Sequence, residues 1–215
     1  MKIKNTTNII GRKAEKCSII IPAAGMGRRM RSYGPKSLIK ITAQKTIIQN
    51  QLEIIKENFV SPEIILVCGF EAEKLMRNTP EDIIKVENES YEDTNDLVFN
   101  PETIKNLKLN SSCLVVDSSD TMNEDEVGCN ISNNYIEQML PDIENKWAQI
   151  AFLIGEELSL FKKVAWDKDK SHYFGFEAIN EVIGKGGRFK SVSPSGMKIT
   201  DVDSSKDLSV AREIL

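Results

Sequence analysis

The feature that most constrains the fold is a short apolar run that ends at a glycine-rich, basic loop. Residues 18–38 read SIIIPAAGMGRRMRSYGPKSL. An apolar, β-branched run that stops at Pro22 predicts a buried strand that feeds a tight loop. Glycines at positions 25 and 27 allow backbone angles that other residues avoid and let the backbone approach a ligand closely. The free N–H groups of such a loop suit phosphate oxygens, so the segment predicts a phosphate site.

The charge around this loop is basic, although the chain as a whole is acidic. Between residues 16 and 52 there is no Asp or Glu, whereas the formal net charge of the 215 residues is −4. The basic residues of this stretch are Lys16, Arg28, Arg29, Arg31, Lys36, Lys40 and Lys45. A local cationic island in an acidic protein indicates an anionic ligand at that place rather than a nucleic-acid surface. Arginine and lysine supply the charge that holds a polyphosphate.

Two common phosphate-binding loops do not fit. The P-loop needs GxxxxGK[ST], and the sequence has no such string. The dinucleotide fingerprint GxGxxG fails at its third glycine, where Met30 stands. No acidic residue follows at the spacing of about 20 positions that the fingerprint requires.

The first half of the chain alternates between strand-like and helix-like segments. After a short strand at 39–41, we predict helices at 46–58 and 71–77 and strands at 63–68 and 83–86. This alternation is typical of a mostly parallel sheet with helices on its faces. Ligands bind at the carboxyl ends of such strands, which is where the loop around Gly25 falls.

The second half is less regular. It has a fourth strand at 113–116 and strand-like pieces at 127–131, 135–139 and 149–153, which suit an antiparallel extension. Helices are predicted at 156–164 and 173–183, strands at 188–192 and 197–202, and a final helix after Asp203.

Composition is that of an ordinary globule, with 40% hydrophobic and 28% charged residues. No apolar run approaches the roughly 18 residues of a transmembrane helix, and the N-terminus lacks the apolar region of a secretory signal. The four cysteines are scattered without a CxxC pair, so we expect buried thiols in a reducing cytoplasm rather than disulfides or a zinc site.

The string AAGMGRRM followed by PKSL resembles the signature of the nucleotidyltransferase superfamily that makes nucleotide sugars and CDP-alcohols. Arg29 and Lys36 occupy the signature Arg and Lys positions, and Arg28 the variable one. The resemblance implies an α/β, GT-A-like fold: a Rossmann-like three-layer sandwich with a mostly parallel mixed sheet and a small antiparallel extension. It covers residues 17–215 as a single domain, with an acceptor-side extension at about 127–190 and residues 1–16 as an N-terminal arm.

The resemblance also implies a nucleotide site. Arg29 and Lys36 would be catalytic. Tyr91, Thr94 and Asn95 fall where the choline-phosphate cytidylyltransferase branch has Tyr–x–x–Thr–Asn–Asn, although Asp96 replaces the second Asn. The alternative is a polar loop in which Thr94 or Asn95 caps a helix. The implied nucleotide-binding residues are Ala23, Ala24, Gly25, Met26, Gly27, Arg28, Arg29, Tyr91, Thr94 and Asn95.

A Mg²⁺ site is implied at two acidic positions. Asp120 matches the Asp of the strand–Gly–Asp pattern, with Ser119 in place of Gly, and Asp117 is its rival because it follows the strand directly. Asp203, within DVDSSKDL, matches the second Mg²⁺ ligand. The alternative is that Asp203 or Ser204 only caps the final helix. Mg²⁺ is usually held by one or two carboxylates plus substrate phosphates.

The acceptor site is the least defined. Trp166, Tyr173 and Glu177 are its candidates, since aromatic rings can stack on a cationic head group, and Trp147 is a further candidate ring. Such aromatics also belong to cores. The superfamily's acceptor-contacting lysine is replaced by Gln138 or Met139, which leaves Lys146 as a substitute.

The implied activity is Mg²⁺-dependent transfer of a nucleotidyl group, CMP favoured, from an NTP to a small phosphorylated alcohol or sugar, with release of pyrophosphate. A methylerythritol-phosphate cytidylyltransferase would need His-Asp-Ala-Ala-Arg-Pro, which DSSDTM is not. A hexose-1-phosphate nucleotidyltransferase usually has a longer chain and a Glu-Lys-Pro string. A non-catalytic nucleotide-binding domain of the same fold stays open, as does a homodimer. No nucleic-acid or membrane partner is expected.

Overall fold

The computed structural model describes residues 17–25, 34–88, 97–105, 107–118 and 126–215. The chain divides into two compact units, Met1–Asn106 with Gly196–Leu215, and Leu107–Ser195. The predicted single domain over 17–215 stays a prediction, and residues 1–16 lie outside the described part. In chain order the elements are β1 (Ser18–Ala23), α1 (Ile47–Asn58), β2 (Glu63–Cys68), α2 (Ala72–Arg77), β3 (Ile84–Glu87), β4 (Leu97–Phe99), α3 (Glu102–Lys105), β5 (Cys113–Asp117), β6 (Val127–Ser132), β7 (Tyr135–Pro141), β8 (Lys146–Phe152), α4 (Gly155–Ala165), α5 (Gly175–Gly184), β9 (Lys190–Val192), β10 (Ile199–Asp201) and α6 (Ser205–Ile214).

The first unit contains the parallel part of the fold. Strand β1 pairs with β2 and β2 with β3, all parallel, so that Ala23, Cys68 and Glu87 stand in register at one edge. Helix α1 begins at Thr46, whose hydroxyl accepts from Gln49 N–H while the Gln49 side chain accepts from Thr46 N–H. This reciprocal capping box satisfies two backbone donors and fixes where the helix begins, as the sequence predicts.

A second, two-stranded sheet in this unit joins β4 antiparallel to β10. It brings the middle of the chain to the C-terminal segment, because Leu97 stands opposite Asp201. Strand β4 is three residues long and was not predicted from the sequence. Its pairing partner lies about a hundred residues away in the chain, and no local signal encodes such a contact.

The predicted strand at 39–41 is wrong. A single 3-10 turn covers Lys36–Leu38, and Lys40 makes only an isolated bridge with Thr46. Ile41 N–H donates to the Lys45 carbonyl at 3.0 Å, so the chain turns back within the segment and has no room for a paired strand. The apolar side chains that suggested a strand are nonetheless buried, with Ile39 3% and Ile41 1% exposed.

The second unit contains the antiparallel extension that the sequence predicts. Five strands form a closed mixed sheet in the order β5-β8-β6-β7-β9, antiparallel except for β5 with β9. Its core is formed by side chains from these strands and from α4 and α5, among them Leu114, Met139, Val164 and Val182, together with Phe189, which directly precedes β9. Gly128 permits this packing, since a Cβ there would lie 1.8 Å from the Ile143 carbonyl oxygen.

The fold is thus mixed α/β with parallel and antiparallel sheets, as predicted. The parallel prediction is confirmed for β1 to β3. The described strands otherwise form two further sheets instead of continuing the first one. The three-layer sandwich stays a prediction.

The four cysteines are free thiols, and Cys68, Cys113 and Cys129 are buried. Burial raises the pKa of Cys129 to about 12. The expectation of buried thiols is confirmed for these three residues and is wrong for Cys17, which is only half-buried. In the described part of the chain, no helix combines the length and apolarity needed to cross a bilayer.

Candidate active site

The loop that follows β1 starts at the carboxyl edge of the parallel sheet. Ala23 and Ala24 are 4% and 0% exposed, and Gly25 is buried. The Ala24 carbonyl accepts from Phe70 N–H at 2.8 Å, which fastens the loop to the end of β2. The predicted phosphate loop therefore begins where ligands bind in parallel sheets. Its residues Met26, Gly27, Arg28 and Arg29 lie outside the described residues.

Lys36 lies at the far end of the same signature. Gly34 precedes it with a φ of +74°, a left-handed angle that favours glycine, and Pro35 leads into the 3-10 turn. The turn closes through Leu38 N–H donating to the Pro35 carbonyl at 3.0 Å. The Lys36 side chain is only 5% exposed. A lysine this buried needs an anionic partner.

That partner is Asp203. The Lys36 ammonium donates a hydrogen bond to Asp203 Oδ1 in a part-buried ion pair. The two residues are 167 positions apart, and they are the signature lysine and the predicted metal ligand near the C-terminus. The structure thus brings together two predicted site residues from opposite ends of the chain.

An apolar cluster in the first unit holds these two ends together. Ile39 and Ile41 follow Lys36 and pack with Val202 and Leu208, which flank Asp203. Val202 is fully buried. Lys36 and Asp203 therefore meet because the residues beside them share one core.

The backbone of Asp203 is fixed by Asp207. One carboxylate oxygen of Asp207 accepts from Asp203 N–H at 3.1 Å, from Ser204 N–H at 2.7 Å and from the Ser204 hydroxyl at 2.8 Å. Ser204 is the N-cap of α6, and its oxygen accepts from Asp207 N–H. The predicted cap and the predicted ligand are therefore neighbours, and the backbone of Asp203 is held while its side chain pairs with Lys36.

The sequence interpretation gave Asp207 no role, although a capping-box pattern was there to indicate it. A serine followed three residues later by an acid, just before an apolar-periodic helix, is the signal for such a reciprocal cap.

The polar string at 91–96 directly precedes β4 in the sequence. Tyr91, Thr94 and Asn95 lie outside the described residues. The residue that follows the string, Leu97, pairs with Asp201, two positions before Asp203. The buried side chain of Gln51 in α1 donates to the Leu97 carbonyl at 2.5 Å and anchors this point.

Gln51 was also missed from the sequence. Its neighbour Asn50 is buried too, and the Asn50 side-chain nitrogen has no hydrogen-bond partner among the described residues. Two adjacent amides within an otherwise apolar helix face were the available signal.

Asp117 lies at the carboxyl end of β5, in the second unit. It is half-buried and stands opposite Lys146 in the β5–β8 register. Its rival Asp120 lies outside the described residues. Lys146, the substitute for the absent acceptor lysine, places its ammonium 2.5 Å from Glu126 Oε1, with side-chain exposures of 15% and 22%. Within the described ranges, no cluster of three or more potential metal ligands occurs.

The acceptor candidates lie on α5 and before it. Tyr173 and Glu177 line a cavity of about 460 Å³ together with Asn180, Glu181, Gly184 and Lys185. Trp166 does not line that cavity and is 84% exposed. Trp147 packs against the core of the second unit.

The charges around this cavity are already paired. The ammonium of Lys170 lies 5.7 Å from the centre of the Tyr173 ring, where a cationic head group would stack. Lys170 and Lys185 both bond Glu181, and these hydrogen bonds lower the pKa of that carboxyl to about 2. Glu177 accepts from Phe174 N–H at 2.8 Å. Tyr173 and Glu177 stay predictions as acceptor contacts.

Comparison with known proteins finds similar folds among solved structures. No protein-family model matches the sequence, and no curated protein matches it. The fold is similar to that of CTP:phosphocholine cytidylyltransferase from Streptococcus pneumoniae, with a TM-score of 0.71, 18% identity, and coverage of 94% of this chain and 99% of that one. The inositol-1-phosphate CTP transferase from T. maritima gives a TM-score of 0.67 at 18% identity, with 94% and 97% covered. UTP-bound UGPase from Acinetobacter baumannii gives 0.60 at 11% identity, with 93% of each chain covered.

The resemblance that the sequence motifs carry is therefore confirmed at the level of the fold. Proteins named for CTP and for UTP both share this fold, so the fold alone does not select a base.

Proposed function

We propose that the chain is a nucleotidyltransferase, with CMP the favoured group, acting on a small phosphorylated alcohol or sugar. The observation that carries this proposal is the ion pair of Lys36 with Asp203. It joins the lysine of the loop signature to the aspartate of the C-terminal motif, and no local feature of either segment requires that contact. The similarity in fold to two cytidylyltransferases supports the same activity.

The reaction is an in-line displacement at phosphorus. A phosphate oxygen of the acceptor attacks the α-phosphorus of the NTP and forms the new P–O bond. The bond from the α-phosphorus to the oxygen bridging to the β-phosphorus breaks, and pyrophosphate leaves with that electron pair. Such transfers depend on positioning and on charge stabilisation, with little covalent chemistry for the protein to do.

The residues of the loop would hold the nucleotide. The backbone from Ala23 to Gly27, with Arg28 and Arg29, would bind the β- and γ-phosphates and stabilise the departing pyrophosphate. Lys36 would neutralise charge at the α-phosphate. Its burial favours this role, because a charge in a low-dielectric site acts more strongly than one in water.

The donor set is compatible with Mg²⁺. Asp203 is 35% exposed, so a carboxylate can be reached from solvent while its backbone is held. Asp120, with Asp117 as the rival, would supply the second carboxylate, which fits the small number of protein ligands that Mg²⁺ takes. When bound, Mg²⁺ supplies Lewis-acid neutralisation of phosphate charge.

The polar string Tyr91, Thr94 and Asn95 would bind the base. Leu97, which follows this string, is held by a hydrogen bond from Gln51 and by pairing with β10. Neutral hydrogen-bonding groups suit a base or a ribose. The acceptor would use Tyr173 and Glu177 in the cavity on α5. The buried free thiols suit a reducing cytoplasm.

Pyrophosphate release tests the proposal. The purified protein is incubated with CTP, UTP, GTP, ATP or dTTP, with and without Mg²⁺, and with a panel of phosphorylated alcohols and sugars. We expect metal-dependent release that needs an acceptor and is fastest with CTP. Lys36→Met should abolish it, while Lys40→Met, which removes an exposed lysine four positions on, should not. Nucleotide binding without release for any acceptor would instead identify a non-catalytic nucleotide-binding domain.

A further inference from the structure

We propose that the acceptor is a neutral, polyhydroxylated phosphate ester, a sugar phosphate or a polyol phosphate, and that esters with a cationic head group are excluded. This inference rests on the proposed function and names the substrate class of its acceptor site. It starts from the cavity on α5, whose volume of about 460 Å³ is that of a small-molecule site. The cavity lies within the second unit.

The cavity is not an aromatic cage. Of the described side chains that line it, Tyr173 alone is aromatic. Its ring already has the Lys170 ammonium 5.7 Å from its centre and the His172 ring in a T-shaped contact at 5.2 Å. Recognition of a quaternary ammonium depends on aromatic faces that the ligand can reach. The described part of the cavity wall offers no second ring to such a ligand.

The charges at this cavity cancel. Glu177 and Glu181 bring two carboxylates to it. Lys170 and Lys185 each form an ion pair with Glu181, so two ammonium groups balance the two carboxylates. A cationic head group stacked on Tyr173 would lie near the Lys170 ammonium, and like charges at such a distance repel. A neutral group carries no such penalty.

The remaining polar groups of the cavity suit hydroxyls. Oε2 of Glu177 accepts from Phe174 N–H at 2.8 Å, which leaves the other carboxylate oxygen for a ligand. Tyr173 contributes a phenol hydroxyl, and Lys185 contributes an ammonium. A ligand with several adjacent hydroxyls can donate to the carboxylate and accept from the phenol and the ammonium.

The cavity wall behind these groups is fixed by Asn180. Both ends of its amide are bonded to Met139 in β7: Oδ1 accepts from Met139 N–H at 2.9 Å, and Nδ2 donates to the Met139 carbonyl at 2.7 Å. Met139 itself is fully buried. A wall that is already in place lowers the cost of ordering the site when a ligand binds.

Acceptor binding tests this inference directly. Isothermal titration calorimetry measures the affinity of the full chain for glucose-1-phosphate, ribitol-5-phosphate and phosphocholine, with Mg²⁺ and a non-hydrolysable CTP analogue present. The samples are wild type, Glu177→Gln, Lys170→Met and the control Lys168→Met, which removes an exposed lysine from the same 3-10 turn. Circular dichroism confirms that each variant is folded, and Lys170→Gln replaces Lys170→Met if that variant fails to fold.

We expect wild type and Lys168→Met to bind a hydroxylated ester at least roughly tenfold more tightly than phosphocholine. The ratio of the two hydroxylated esters tells a sugar phosphate from an open-chain polyol phosphate. Glu177→Gln should weaken the binding of the hydroxylated ester roughly tenfold, because the acceptor for its hydroxyls loses its charge. Lys170→Met should tighten the binding of phosphocholine roughly tenfold, because the like charge beside Tyr173 is gone.

The outcomes separate this inference from the proposed function. The inference is overturned if wild type binds neither hydroxylated ester, or if it binds phosphocholine as tightly as either of them. Unchanged binding of the hydroxylated esters by Glu177→Gln, or of phosphocholine by Lys170→Met, overturns it as well. In each of these cases, metal-dependent pyrophosphate release with any acceptor keeps the proposed function. If no nucleotide binds and no acceptor supports release, the proposed function fails and the inference fails with it.

Discussion

Two lysine–carboxylate pairs in this molecule consist of the same chemical groups but differ in the sequence separation and in the exposure of their members. Lys36 and Asp203 are 167 positions apart, with side chains 5% and 35% exposed. Lys170 and Glu181 are 11 positions apart, with side chains 20% and 27% exposed. Glu181 also bonds Lys185, which lies four positions further on as the C-cap of α5.

The two pairs also differ in what else holds their members. Glu181 lies between two lysines and fastens the 3-10 turn at Lys168–Lys170 to α5, so its charge is used locally. Lys36 is a buried cation at the end of a phosphate-loop signature, and it meets a carboxylate that a separate capping network holds. Among the described residues, Lys36 is held by one carboxylate, and a buried charge with one exchangeable partner can be redirected to a ligand. The Glu181 carboxylate is shared by two lysines near the surface and stabilises the local structure around them.

The largest expected effect follows from removing one member of the long-range pair. Asp203→Ala leaves the Lys36 ammonium buried without that carboxylate, and we expect the free energy of unfolding to fall by about 2–3 kcal/mol. Urea denaturation measures this. The double variant Lys36→Met/Asp203→Ala should lose less than Asp203→Ala alone, because both charges are gone. Additive losses would show that the two side chains do not interact.

A smaller effect is expected from Asp207. Asp207→Asn weakens the cap of α6 and frees the backbone of Asp203, so we expect a loss of about 1 kcal/mol in unfolding free energy. Nucleotidyl transfer should fall more than this loss of stability explains, because the position of Asp203 is no longer fixed. Glu213→Gln, an exposed charge change near the other end of α6, is the control. Equal turnover in Asp207→Asn and Glu213→Gln would show that Asp207 does not contribute to the site.

The smallest effect is expected at Glu181, and it depends on pH. Hydrogen bonds from Lys170 and Lys185 hold the pKa of Glu181 at about 2, below its ordinary value of 4.5. The stability that Glu181 contributes is therefore fully present above pH 4.5 and is lost as the pH falls from 4.5 toward 2. Glu181→Gln should lower Tm at pH 7 and leave it nearly equal to that of wild type near pH 2.

The control for this pH series is Glu137→Gln, an exposed charge change on β7 in the same unit. We expect its Tm to follow that of wild type from pH 7 to pH 2. A Tm difference between wild type and Glu181→Gln that does not change over this range would contradict the assigned coupling.

Sequence reasoning predicted the elements that local periodicity encodes. The bounds of β2 are those predicted, and Thr46 begins α1 and Ser204 begins α6 as their capping residues indicate. The strand at 39–41 failed because buried isoleucines in a reversing turn have the same local pattern as those in a strand.

The candidate site was predicted as a set of residues but not as an arrangement. Lys36 and Asp203 were each singled out by motif, yet their contact depends on the shared core of Ile39, Ile41, Val202 and Leu208. That packing is non-local, and no window of sequence contains it. Gln51 was missed for the same reason, because its partner Leu97 lies 46 positions away.

The most direct test of the central claim follows the phosphorus atom itself. Wild-type protein, CTP, Mg²⁺ and a phosphorylated alcohol are mixed, and ³¹P NMR monitors the reaction. The proposed function predicts that the CTP resonances give way to pyrophosphate and to a new diphosphate diester, and that Lys36→Met and Asp203→Ala yield neither. Formation of the diester at the wild-type rate in either folded variant would contradict the assignment of the Lys36–Asp203 pair as the catalytic centre.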